Sequence, residues 1–168
     1  MQPAEAGQIL VAVPGKLDPN FDATVVYLFD VSNGAAGLVL NRPTDIPVSD
    51  VIPELSAVVA EPTVVFHGGP IAIDHGLVLA VTDGGINVVD TAEAADAAPE
   101  SIRLFAGHSG WEEGQLEDEI TSGDWFVLVG ATDDILTPDP LGLWRAVFAR
   151  QTGELRRYRS YPNDPGLN

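Results

Sequence analysis

Two short glycine segments hold the side chains best suited to chemistry. His67-Gly68-Gly69-Pro70 resembles a loop whose backbone amides receive an oxyanion, and Gly107-His108-Ser109-Gly110-Trp111 resembles a nucleophile elbow, the sharp turn that exposes a serine. Acyl transfer would then have Ser109 attack with a histidine as its base. Two features oppose this. The elbow is G-x-S-x-G, and Trp111 stands where the second glycine must relieve crowding. The hydrolase order also puts its histidine after the serine, whereas His67, His75 and His108 all precede Ser109. No catalytic residue is therefore assigned, and Ser109, His108 and His67 stay only as candidates. A simpler use exists for Ser109, because Ser109-Gly110-Trp111-Glu112 has the S-x-x-E spacing of a capping box at a helix start. Gly114 inside that helix would cost about 0.8–1 kcal/mol relative to alanine. The alternative is a turn followed by a helix that begins at Gly114.

Other side chains are weighed in the same way. His67, His75 and Asp74 flank one turn, but no H-E-x-x-H or paired-cysteine spacing is present, and no metal is expected. The acids Glu112, Glu113, Glu117, Asp118 and Glu119 suit the first turn and solvated face of a helix rather than a cation site. Arg42 in Asn41-Arg42-Pro43 is a scarce cation. It either binds an anion beside the amides of Gly68, Gly69 and Gly107 to Gly110, or forms an internal ion pair that pins a loop to a strand end. Neither G-x-x-x-x-G-K-[ST] nor G-x-G-x-x-G occurs, so no cofactor is expected.

These residues need elements to position them. Apolar runs Ile9 to Val13, Thr24 to Phe29 and Gly37 to Leu40 predict three strands, and Asn33-Gly34 predicts that the second and third pair as a hairpin. A short helix is expected over Pro47 to Leu55, which Pro53 weakens. Thr63 to Phe66, Leu77 to Val81 and Ile86 to Val89 read as strands, with Asp83-Gly84-Gly85 as a hairpin turn. A helix over Ala92 to Ala98 precedes a strand over Ile102 to Ala106 that feeds the second glycine segment. Gln115 to Ser122 is a helix with Leu116 and Ile120 on one face, and Trp125 to Val129 reads as a strand buried inside a sheet. Leu141 to Arg150 is an amphipathic helix presenting Leu141, Trp144, Val147 and Phe148 to the core. Short helices among sequential strands predict an α+β fold with a largely antiparallel sheet.

Composition limits the partners. The 168 residues form one domain, 1–168, with the ends, 1–7 and 160–168, expected to be flexible. The absence of cysteine removes disulfides and thiolate chemistry, and no apolar run is long enough for a membrane span. A cytoplasmic protein without membrane contact is expected. Residues 1–144 hold 23 of the 25 acids against Lys16, Arg42 and Arg103, and the whole chain carries -17. Such a body repels phosphate backbones. The C-terminal Arg156-Arg157-Tyr158-Arg159-Ser160-Tyr161 has the basic, aromatic composition of a single-strand grip, yet docking on the chain's own acidic surface is the favoured use.

Gly37-Leu38-Val39-Leu40-Asn41-Arg42-Pro43, Gly68-Gly69-Pro70, Phe105 to Trp111, Gly114-Gln115-Leu116-Glu117 and Gly123-Asp124-Trp125 together resemble the YqgE/AlgH family of small bacterial proteins. The resemblance implies a bifurcated sheet folded as a pseudo-barrel with helices outside. It also implies a transcriptional-regulator label with no established chemistry. His67 and His108 depart from the family pattern, where tyrosine is commoner at the second position. The shared positions Asn41, Arg42, Gly68, Gly69, Gly107, Gly110 and Trp111 are the binding candidates. The expected activity is indirect regulation through an unknown protein or a small anion. A small hydrolase-like enzyme using His67, His108, Ser109 and Arg42, and a DNA-binding regulator using the C-terminal arginines, are the alternatives.

Overall fold

β-Branched and aromatic runs punctuated by glycine and proline make a chain of strands. In this computed structural model, which describes residues 3–19 and 21–151, they are β1 (Gln8–Ala12), β2 (Val25–Asp30), β3 (Ala35–Val39), β4 (Pro43–Pro47), β5 (Val64–His67), β6 (Ile71–Thr82), β7 (Gly85–Val89), β8 (Ser101–Trp111) and β9 (Trp125–Val129). The helices are α1 (Thr91–Asp96), α2 (Gln115–Thr121), α3 (Thr132–Ile135) and α4 (Leu143–Ala149). The strands run in the order β4-β5-β8-β3-β2-β1-β9, with β6 also on β8 and β7 on β6. The fold is α+β, and the sheet is forked but not closed.

The long strand β8 makes the fork. Its first half pairs antiparallel with β6 and parallel with β5, and its last three residues, Ser109 to Trp111, pair with Gly37 to Ala35 of β3. Phe105 packs with Phe66 and Leu79, yet Trp111, an even number of residues on, packs in a separate cluster with Leu28 and Trp125. A regular strand would turn both to one face. Gly107, at φ +77°, lies between them and resets the alternation.

Because the layers sit on both faces, alternate residues enter different cores. Ile9, Val11, Tyr27 and Leu38 meet Phe66, Leu79 and Phe105 across a central core closed by Trp144, Val147 and Phe148 of α4. Leu10, Val26, Leu28 and Trp125 form a second core under α2. Val65, Val78, Ile102 and Leu104 form a third with Val48, Ile52, Leu55 and Ala94. Two-sided burial explains why these strands read as continuous apolar runs.

The hairpins at Asn33-Gly34, with Gly34 at φ +80°, and at Asp83 to Gly85 form as expected. Other expectations are corrected. Pro47 to Leu55 is a strand end and two 3-10 turns, Val48–Asp50 and Pro53–Val58, since Pro53 supplies no amide to a continuing α-helix. The strand expected over Ile102 to Ala106 runs on to Trp111, so the second glycine segment is strand rather than turn. Trp125 to Val129 is an edge strand, paired only with β1 among the described residues, and Val129 is 82% exposed. The last helix starts at Leu143, after a 3-10 turn over Pro140–Gly142. The tighter turn shifts the phase, so Leu143 points inward and Leu141 outward. At the N-terminal end Ala4 is buried and the Gly7 amide donates to the Leu28 carbonyl. Residues 160–168 and the arginines 156, 157 and 159 lie outside the described residues.

Candidate functional site

The two glycine segments meet as a seam. The Gly68 amide donates to the Ala106 carbonyl at 2.9 Å, and the Gly68 carbonyl accepts both the Val39 amide (2.9 Å) and the Ser109 hydroxyl (3.1 Å). Contact is so close that a Cβ on Gly107 would stand 2.5 Å from the Gly69 carbonyl oxygen, and a Cβ on Gly68 or Gly69 would strike the backbone of Gly107 or His108. Glycine is required here by space.

Ser109 is fully buried in β8, so it neither caps a helix nor sits on an exposed elbow. Its proton goes to the Gly68 carbonyl. The half-buried His108 lies opposite Ile71, and successive strand residues point to opposite faces, so His108 and Ser109 do not form a dyad. His67 ends β5, its amide held by the Arg42 carbonyl at 2.8 Å. No hydrogen bond among the described residues joins a histidine to Ser109. Helix α2 begins at Gln115, behind Gly114 at φ +84°.

Asn41 and Arg42 lock a loop. Asn41 Oδ1 accepts the Val25 amide (3.1 Å) and its Nδ2 donates to the Ala23 carbonyl (2.9 Å), while Arg42 Nη2 donates to the carbonyls of Pro19 (2.9 Å) and Asp22 (3.2 Å). Desolvation draws the Arg42 pKa below the usual guanidinium range, opposed by the nearby charges of Asp22 and Asp18. Those two carboxylates already supply the negative charge that Arg42 meets.

The acidic segment contains one residue that is not mere solvated surface. Glu119 Oε1 accepts the indole N–H of both Trp111 (3.1 Å) and Trp125 (2.9 Å), and its Oε2 accepts from Gln115 (2.9 Å). The two indoles stand nearly perpendicular at 6.0 Å, with Phe21 against both. Trp111 thus ties β8 to α2 and β9. Among the described residues no group of three histidines or acids is placed to hold a metal ion.

Arg103 was not singled out from the sequence, and it is fully buried. Nη1 donates to the Thr137 carbonyl (3.0 Å), Nη2 to that of Glu61 (2.7 Å), and the guanidinium stands 4.4 Å from the Phe66 ring centre. Burial pulls its pKa down to about 10. Its position between Ile102 and Leu104, inside an apolar strand of a cation-poor chain, was the available signal.

Two grooves open on the surface. One, of about 350 Å³, has Ile52, Val65 and Leu104 in its walls, Ile46, Val51 and Ile73 around its mouth, and a polar extension at Asp74, His75, Asp90 and Thr91. The other, of about 390 Å³, brings together Ala36, Ile71, His108, Gly110 and Trp111. Between them runs the exposed ridge Ile71 to His75. It exists because four residues of β6, 72–75, bulge opposite Gly107 of β8, with Ala72 in the left-handed region at φ +50°. Ile71 and Ile73 are 43% and 62% exposed. Of the sequence candidates, His108, Gly110 and Trp111 therefore reach a groove, whereas Gly68, Gly69, Gly107 and Ser109 form the seam and Asn41 and Arg42 the loop lock.

Known proteins share this architecture. The sequence profile of the AlgH-like family matches residues 9–156. A UPF0301 protein of Streptomyces avermitilis is 43% identical, covering 96% of this chain and 94% of its own, and one of Streptomyces coelicolor is 41% identical with the same coverage. A crystal structure from Corynebacterium diphtheriae superposes with a TM-score of 0.86 at 28% identity, covering 96% of this chain and 94% of that one. The solution structure of the AlgH protein from Pseudomonas aeruginosa gives 0.71 at 27% identity, over 96% and 98%. No helix among the described residues is long and apolar enough to cross a membrane. The chain belongs to the AlgH-like, UPF0301 family of bacterial proteins, a family of unknown molecular function.

Proposed function

We propose that this is a cytoplasmic regulatory protein that works by docking a protein partner on the Ile71 to His75 ridge and its two grooves, without chemistry of its own. The supporting observation is the ridge. Exposed aliphatic side chains on a strained, unpaired bulge between two concavities have no evident use in folding and suit an interface. Of the seven binding candidates, Gly110 and Trp111 belong to this surface, together with His108 from among the catalytic candidates. A net charge of -17 disfavours direct contact with DNA, so regulation of transcription would pass through the partner. Ser109, spent on the Gly68 carbonyl, gives the hydrolase alternative little support.

The test is photo-crosslinking in cells, with benzoylphenylalanine in place of Ile73 and, as control, of Val129 on the distant edge of the sheet. The reading expects a discrete protein adduct from position 73 that is absent from position 129. The same diffuse products from both positions, or none, would contradict it.

A further inference from the structure

We infer that the groove walled by Ile52, Val65 and Leu104 is a binding site for a small amphipathic amine, with the apolar body against those walls and the ammonium group at Asp74 and Asp90. Such a site stands whether or not a protein docks on the ridge.

The groove and its polar extension are continuous, because Asp74, His75, Gly76 and Thr91 line both. The apolar part encloses about 350 Å³, the size of a small-ligand pocket, and Asp90 lies in the other part. Gly76 sits where the two meet. Unlike Gly68, Gly69 and Gly107, it is demanded neither by close packing nor by a left-handed backbone, since a Cβ there would stand an ordinary 3.6 Å from Leu104 Cδ1 and Thr91 Cγ2. Both of those residues line the groove, so a side chain at position 76 would start between them and take up its space. The glycine keeps the apolar and polar parts open to one ligand.

The polar end selects a cation. No hydrogen bond or ion pair among the described residues engages the Asp74 carboxylate, and Asp90 gives only Oδ1 to the Glu93 amide (2.8 Å). Neither lysine nor arginine is among the described residues that line the two parts. A carboxylate or phosphate ligand would meet two like charges on a chain of -17, whereas an ammonium group is attracted by both. Its apolar body gains from leaving water for the aliphatic walls.

The experiment titrates the isotope-labelled full chain with hexylamine, hexanol and hexanoate and follows the backbone amide shifts by NMR. Hexylamine is expected to bind roughly threefold to tenfold tighter than hexanol, with hexanoate weakest and the shifts centred on Gly76 and Thr91. Gly76→Val should weaken hexylamine and hexanol alike, by about tenfold or more, because it fills the space both need. Should that variant fail to fold, Gly76→Ala replaces it. Asp74→Asn with Asp90→Asn, which keeps an acceptor for the Glu93 amide, should bring hexylamine down to the affinity of hexanol. Hexylamine binding no tighter than hexanol, shifts scattered over the acidic surface, or binding that survives both sets of substitutions would overturn the inference.

Discussion

At the residue scale, Ser109 and Gly107 separate a dispensable hydrogen bond from an indispensable space. Ser109→Ala leaves the Gly68 carbonyl bonded to the Val39 amide, so the loss should be about 0.5–1.5 kcal/mol in urea unfolding. Gly107→Val should cost several times that, because a side chain there meets the Gly69 carbonyl at a φ that β-branched residues avoid. Arg103 carries a second prediction. Its folded pKa of about 10 lies below the ordinary guanidinium value, so below pH 10 both states hold the proton and the cost of burying the charge is fully present. Above pH 10 the folded state releases its proton first, the unfolded state binds more protons, and stability contributed by this group rises with pH. Unfolding free energies of the parent and Arg103→Met, compared from about pH 9 to 11, should move in the parent's favour as pH rises. A flat difference would contradict the burial of an unneutralised guanidinium.

At the element scale, the clamp on α2 is testable by fluorescence. Glu119→Leu leaves two indole N–H groups without their acceptor, and should cost about 1–3 kcal/mol and alter the tryptophan emission, whereas Glu119→Gln retains an acceptor oxygen and should cost less. The hairpins were legible because Asn33-Gly34 and Asp83-Gly84-Gly85 impose turns locally. The extent of β8 was not, because its glycines read as a turn when judged alone. Their role appears only when Gly68 and Gly69, in the turn after β5, press against them, a contact between segments far apart in sequence. The same limit hid the edge position of β9, since an apolar run says that a strand is buried on its faces but not which neighbours it has. Leu141 was misplaced by a 3-10 turn that no helical period reveals. The candidate site was legible in part: His108, Gly110 and Trp111 reach a groove, but the Ile71 to His75 ridge follows from a bulge whose register depends on Gly107 across the sheet.

At the scale of the whole molecule, the net charge of -17 bears on the docking proposal by disfavouring nucleic acid as the partner. The acid-rich body should give no salt-sensitive binding in fluorescence anisotropy with genomic-fragment or random DNA between about 50 and 200 mM salt, and tight sequence-selective binding would require a role for the C-terminal arginines instead. The glycine segments, shared with the family by resemblance, would then serve the fold and hold the bulge that displays Ile71 and Ile73. The measurement that tests this division most directly pairs the melting temperature with the position-73 photo-crosslink in two variants, Ile71→Asp and Ser109→Ala. The expected result is that Ile71→Asp melts with the parent and loses the adduct, while Ser109→Ala melts lower and keeps it. The reverse pattern, an adduct indifferent to Ile71 and lost with Ser109, would place function in the glycine seam and contradict the docking ridge.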